Sequence, residues 1–250
     1  LAKLPDGDLA VVFREGESHV CPYGRICIVY SKDGGQNWSA PVAIADTASD
    51  ERDPSIQTLP DGRVLVTHGG WNSWMYYAGT ADKFPGETNY IKQAGPDNFG
   101  GSHYLFSRDG GKTFGPPVKV PGFSPHGPAV LADGSLGQPS LGNNSDKRQV
   151  YFHRGSADAS KWEAPVLIGE SERDESHVRA VFEEPHTARL ADGTLVTAIR
   201  VPSDGYMRIS FSKDDGKTWS EPMKTPVRGF PQHLLPLKDG RLLATYGYRY

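Results

Sequence analysis

Apolar and polar positions fall into five near copies of one pattern: LPDGDLAVV from Leu4, LPDGRVLVT from Leu59, LADGSLGQP from Leu131, LADGTLVTA from Leu190 and LKDGRLLAT from Leu237. An Asp-Gly pair followed by alternating apolar residues predicts a β-hairpin, because Gly accepts the positive φ that a tight turn needs. The turn aspartates are Asp6, Asp61, Asp133, Asp192 and Asp239, at intervals of 55, 72, 59 and 47 residues. No run of ten or more residues spaces its apolar positions at 3.6, so almost no helix is predicted.

A second, polar phrase follows the hairpins: SKDGGQNW from Ser31, SRDGGKTF from Ser107 and SKDDGKTW from Ser212, with prolines at Pro41, Pro117 and Pro222. SADASKWEAP from Ser156 is a degraded copy that keeps Ser156, Asp158, Trp162 and Pro165. The phrase has a local physical reading. Its Asp accepts backbone N–H groups of its own turn, its Gly permits positive φ, and its aromatic packs between sheets. Four such boxes alternating with five hairpins, at a period in the fifties, predict an all-β propeller of four-stranded antiparallel blades rather than a sandwich.

Composition narrows the function classes. The 250 residues are 37% hydrophobic, ample for a core, and carry a formal net charge of −3 with both signs well mixed, so no nucleic-acid or membrane-surface partner is indicated. No run of about 18 apolar residues occurs, so no membrane span is predicted. LAKLPDGDLAVVF at the start reads as strand and turn rather than a secretory leader, as if the chain began inside a domain. Cys21 and Cys27 are too few for a disulfide framework and lack metal-site spacing; the sequence leaves open whether they pair. Asn37-Trp38-Ser39 and Asn143-Asn144-Ser145 fit the glycosylation pattern, which carries meaning only on a eukaryotic secretory route. No metal or cofactor is called for.

In a propeller the innermost strand of each blade lies near the axis, so residues just upstream of each Asp-Gly turn are candidates for a site. Counting back from each turn gives Arg52 and Asp53 in RDPSIQTLPDG, and Ser124, Pro125 and His126 in SPHGPAVLADG. The later turns give Glu183, Glu184 and His186 in EEPHTARLADG, and Phe230, Pro231 and His233 in FPQHLLPLKDG. Ionisable residues return beside proline in one register.

The boxes and this register resemble the sialidase superfamily, whose Asp-box, or bacterial neuraminidase repeat, marks the hairpin between outer strands, remote from the active site. In retaining sialidases a Glu precedes a turn Asp by eight residues and an Arg follows that Glu by sixteen; Glu184, Asp192 and Arg200 reproduce both intervals. The resemblance implies a six-bladed propeller acting as an exo-glycoside hydrolase on a terminal sialic acid or related acidic sugar. Glu184 would polarise a tyrosine nucleophile, and Arg200 would be one of three arginines on the substrate carboxylate. That chemistry suits the substrate: the sugar carboxylate repels an anionic nucleophile but not a neutral tyrosine, and guanidinium groups grip a carboxylate bidentately at roughly 1.5–3 kcal/mol per charged hydrogen bond. Asp53 resembles the Asp that contacts the sugar 4-hydroxyl, and Arg14 in VVFREG an Arg that joins it. Trp71, with Trp74, Tyr76 and Tyr77 in an aromatic insertion, could wall a sugar site. That blade has 46 residues between its turn Asp and its box, against 20 to 25 in the others.

The chain also departs from the family. The first triad arginine would fall before Leu1, and the third arginine, the tyrosine and its supporting Glu would follow Tyr250, with Arg249 near the third-arginine region. Six blades at this period need about 350 residues, so residues 1–250 read as a single propeller domain of four to five blades, incomplete at both ends. Where the family has its acid Asp, REGESHVCPYG offers His19 or Cys21, with Glu15 and Glu17 shifted. A histidine can serve as general acid near neutral pH. His126, His186 and His233 are not family hallmarks and suggest a pocket altered for a relative of sialic acid. The rival readings are a carbohydrate-binding propeller without catalysis and a structural propeller that docks proteins. Glycans met outside the cytoplasm imply a secreted or periplasmic location.

Overall fold

A computed structural model of the chain describes residues 1–21, 23–47, 49–71, 100–142, 148–171 and 181–248. Trp74, Tyr76, Tyr77, Arg249 and the second glycosylation pattern lie outside these residues. The chain forms two compact units, Leu1–Val120 and Pro121–Tyr250.

The first unit holds two four-stranded antiparallel sheets. One is β1 (Ala2–Lys3), β2 (Leu9–Glu15), β3 (Arg25–Ser31) and β4 (Val42–Ala45); the other is β5 (Asp50–Thr58), β6 (Val64–Trp71), β7 (Gly101–Ser107) and β8 (Val118–Val120). The second unit holds β9 (Ala129–Val130), β10 (Leu136–Leu141), β11 (Gln149–Gly155) and β12 (Val166–Glu170) in one sheet and β13 (Glu183–Arg189), β14 (Leu195–Arg200), β15 (Tyr206–Ser212) and β16 (Met223–Arg228) in another. The hairpin β17 (Gln232–Pro236) and β18 (Leu242–Tyr246) follows. Every sheet runs in chain order, and no helix occurs among the described residues.

Each Asp-Gly turn joins the first and second strands of its sheet. The Asp carboxylate accepts the N–H two residues on, as from Arg63 to Asp61 at 3.0 Å and from Thr194 to Asp192 at 2.9 Å. The boxes join third and fourth strands. Asp33, Asp109 and Asp214 each accept two backbone N–H groups and the hydroxyl of the box Ser, which in turn accepts the N–H of Gly35, Gly111 or Gly216. Those bonds hold all three carboxyls below the usual range, Asp33 and Asp214 at about 2. The degraded box rebuilds the turn with Ser160, bonded to Asp158, and with Ala159 at φ 59°.

The boxes also latch neighbouring sheets. Tyr30 Oη donates to the Gly111 carbonyl at 2.6 Å, and Arg154 Nη1 to that of Asp215 at 2.7 Å, so β3 and β11 each hold the box of the next sheet. Box aromatics pack between sheets at Phe114 and at Trp219, whose ring meets Phe152 at 5.1 Å. Trp38 departs from that expectation: it is 40% exposed and donates Nε1–H to Gly35 O.

One sequence expectation needs correction. Burial alternates along the second strand β2 but not along its counterparts β6, β10 and β14, which are buried at every position but the last. A strand in the middle of a sheet that is covered on both faces reads as a continuous apolar run. In the first unit one face packs Ala10, Val12, Ile28, Val64, Val66 and Leu105 together. In the second unit Phe152, Phe182, Leu195 and Ile199 fill the space between the two sheets, and Val196, Ala198, Met207 and Leu234 seal β14 against the final hairpin.

Candidate functional site

The first strands of two sheets carry the same irregularity. In β5 the register slips between Arg52 and Ser55, which pair with Gly69 and Thr67; in β13 it slips between Glu183 and His186, which pair with Arg200 and Ala198. Each bulge seats an acidic residue before proline: Asp53-Pro54 at φ 52° and Glu184-Pro185 at φ 44°. Proline has no N–H to give a ladder and fits a bulge. A left-handed acidic residue at such a place costs of order 1–3 kcal/mol and persists where its surroundings fix it.

Around the second bulge, in the second unit, Arg200 Nη1 donates to Glu184 Oε1, and Arg200 Nε stands 3.7 Å from Glu183 Oε2. The guanidinium lies over the Phe230 ring at 4.4 Å. Glu184 Oε2 and Arg200 Nε are buried with no hydrogen-bond partner. The β17 strand fixes this backbone: Gln232 Nε2 donates to the carbonyls of Glu184 at 2.9 Å and Ala198 at 3.1 Å.

Beside this pair stand three histidines, His126 entering β9, His186 on β13 and His233 on β17. Their ring centroids are 4.8 Å apart for His126 and His186 and 4.3 Å, nearly parallel, for His186 and His233. The Leu234 N–H donates to His186 Nδ1 at 2.8 Å, which puts the ring proton on Nε2. Burial pushes His126 down to about 4, helped by His233, and holds His186 well below the ordinary histidine value, so both are neutral near pH 7. His233 is the exposed member. Among the described residues no group of His, Cys, Asp or Glu is arranged to hold a metal ion.

In the first unit the organising residue is Asp50, which the sequence reading overlooked. Fully buried, it accepts Arg14 Nε at 3.0 Å and Nη2 at 2.7 Å on one oxygen and the Cys21 N–H at 3.1 Å on the other, with Arg52 Nη2 at 3.4 Å. The ion-pair partner of Arg14 is thus Asp50. Arg14 Nη1 also holds the Ser18 carbonyl and Arg52 Nη2 that of His19, so the loop between β2 and β3 is pinned while the His19 side chain stays exposed. Arg52 stacks over Trp71 at 4.7 Å. Asp53 is exposed. A second overlooked group is Glu51, 2.6 Å from His68 Nδ1, with His103 stacked on His68 at 5.4 Å and all three buried. Both cysteines are free and buried, and Cys27 Sγ donates to Glu15, which at the end of β2 pairs with Arg25 across the strand.

The BNR repeat-like domain family matches residues 89–249, more than half of the chain, and the BNR/Asp-box repeat matches residues 29–40 across the first box. The chain belongs to the BNR repeat-like domain family. No curated protein matches it. Among solved structures, a protein of unknown function from Dyadobacter fermentans is 23% identical with TM-score 0.77, covering 100% of this BNR chain and 74% of its own. A Hadza microbial sialidase, Hz136, is 17% identical over 88% of this chain with TM-score 0.62, and this chain spans 45% of its length. The intramolecular trans-sialidase of Ruminococcus gnavus is 16% identical over 90% of this chain and 69% of its own, with TM-score 0.57. At these identities the likeness shows the fold: the BNR sheets are blades of a sialidase-like β-propeller.

Proposed function

We propose that this chain belongs to an exo-acting, retaining glycoside hydrolase that releases a terminal sialic acid or related acidic sugar from glycoconjugates, and that its second unit carries the reacting pair. The observation that supports this most is the Glu184–Arg200 pair on a strained bulge, each partner with a polar atom left over. Arg200 Nε, beside its bonded Nη1, can turn to a substrate carboxylate, and Glu184 Oε2 can take the proton of a neutral tyrosine nucleophile. In the first unit, His19 is proposed as the general acid and Asp53 as a sugar-hydroxyl ligand, with Arg14 and Arg52 positioning the loop that carries His19. A glycan substrate places the protein outside the cytoplasm, secreted or periplasmic.

Hydrolysis of a fluorogenic sialoside tests this. Glu184→Ala combined with Arg200→Ala should remove at least ~100-fold of the turnover; turnover that survives the pair overturns the assignment. A chain that binds N-acetylneuraminic acid without cleaving any sialoside would instead be a carbohydrate-binding propeller.

A further inference from the structure

We propose that His126, His186 and His233 recognise the hydroxylated, uncharged part of an acidic sugar whose carboxylate is held at Arg200. The inference rests on the reading of Arg200 just given and adds the substrate feature that the neighbouring cluster would select. The three rings come from three successive innermost strands or the segment entering one, and their centroids lie 4.3 to 6.2 Å apart. The bond from the Leu234 N–H makes His186 Nε2 a fixed donor. His126 Nε2 is buried with no hydrogen-bond partner in the protein, an enclosed polar atom that a hydroxyl can satisfy. His233 is exposed and stacks on His186 at an interplanar angle of 17°, so the cluster opens to a ligand at one end.

Neutral rings offer hydrogen-bond donors, acceptors on the rings other than His186, whose Nδ1 is taken by the Leu234 N–H, and flat faces for C–H groups, a set that suits a polyol. The cluster is not arranged to hold a metal ion. His186 follows Glu184 by two residues across the bulge of β13, so the histidine cluster and the Glu184–Arg200 pair are neighbours on one strand.

The test measures calorimetric binding of two probes to the full chain. One is N-acetylneuraminic acid; the other is its product after periodate oxidation and borohydride reduction, which keeps the carboxylate but loses the two terminal hydroxylated carbons. The parent should bind the wild type at least ~10-fold more tightly, and His126→Phe with His233→Phe, which keeps the ring stack but removes its nitrogens, should bind both probes alike. Equal binding of the two probes by the wild type, with Arg200→Ala weakening both, overturns this inference alone. Failure of the wild type to bind either probe overturns the Arg200 reading as well. Should the double variant not fold, the wild-type comparison of the two probes still decides.

Discussion

The bulges of β5 and β13 share a backbone and differ in what surrounds it. Both slip by one residue at the same distance before the turn, and both hold an acidic residue before proline at φ near 50°. Beside Asp53 the nearby charges gather around Asp50, whose two oxygens are both bonded and whose arginines also pin a loop, although Arg52 Nε and Glu51 Oε2 are buried there without a hydrogen-bond partner. Beside Glu184 the charges are left partly open, with Glu184 Oε2, Arg200 Nε and His126 Nε2 buried and without a partner. Unpartnered atoms occur at both bulges; what sets the second apart is that the carboxylate seated on the bulge itself, Glu184, holds one of them. The geometry of a bulge therefore marks a candidate site, and the hydrogen-bond inventory around it says which kind.

The largest test of that contrast compares Asp50→Ala with Glu184→Gln. Removing Asp50 strands two largely enclosed guanidinium groups and frees the 16–24 loop, so urea unfolding of the full chain should show a loss of about 3–5 kcal/mol. Glu184→Gln keeps the shape and leaves Glu183 near Arg200, so it should change stability by under about 1 kcal/mol while abolishing sialoside turnover. Similar stability losses in the two variants would erase the distinction.

Acid titration separates the histidines. His126 folded gives up its proton near 4, against 6.5 when unfolded, so as pH falls the unfolded chain is protonated first. Its contribution is complete above pH 6.5 and is lost between 6.5 and about 4, by an amount on the order of 3 kcal/mol. His126→Gln should flatten the stability profile in that window. His103→Gln should flatten it less: burial and the neighbouring His68 lower His103, and the Glu51 carboxylate opposes them. The box aspartates act in a different window. Asp33 and Asp214 are held at about 2, so their contribution is present above 3.8 and disappears below it. An acid transition confined to pH below 3.8 would contradict a neutral buried histidine cluster.

The closed site can also be opened without removing charge. A Cβ on Gly24 would fall 2.0 Å from Asp50 Oδ1 and 2.9 Å from Arg14 Nε. Gly24→Ala should therefore cost about 1–3 kcal/mol in the same unfolding assay, by overpacking rather than by loss of an ion pair. A neutral result would show that the loop can shift off Asp50.

The hairpins and boxes were legible in the sequence because their turn bonds run between residues two to four apart, where Asp, Gly and Ser announce the geometry. The Glu184–Arg200 interval was legible only through the family resemblance; the short turn between β13 and β14 is what converts that interval into a contact. Asp50, His103 and Gln232 were not, since their partners arrive from strands far along the chain and no spacing encodes them; Glu51 and His68 sit across one hairpin, like Glu184 and Arg200, but no family interval drew attention to them. Weak traces existed: the charged run Asp50-Glu51-Arg52-Asp53 opening a strand, and His68 within an apolar one. Strand alternation misled for the physical reason that central strands covered on both faces have no polar side.

The smallest test calibrates the strain on which the comparison rests. Among the described residues four non-glycines have positive φ: Asp53 and Glu184 on the bulges, Ala159 and Asp215 in boxes. Ala159 stands where Gly34 and Gly110 stand in their boxes, so its conformation is ordinary turn geometry held by a residue with a Cβ. Left-handed backbone costs an L-residue roughly 1–2 kcal/mol, and glycine gives back about 0.5–1 kcal/mol in unfolded-state entropy. Ala159→Gly should then stabilise the chain by about 0.5–1 kcal/mol, seen as a raised urea midpoint with an unchanged slope. That gain measures the cost of the conformation where no function is proposed. If Ala159→Gly gains nothing, positive φ costs this fold little, and the matching φ of Asp53 and Glu184 loses its weight as a mark of a site; the open valences of Glu184 and Arg200 would then carry the distinction alone.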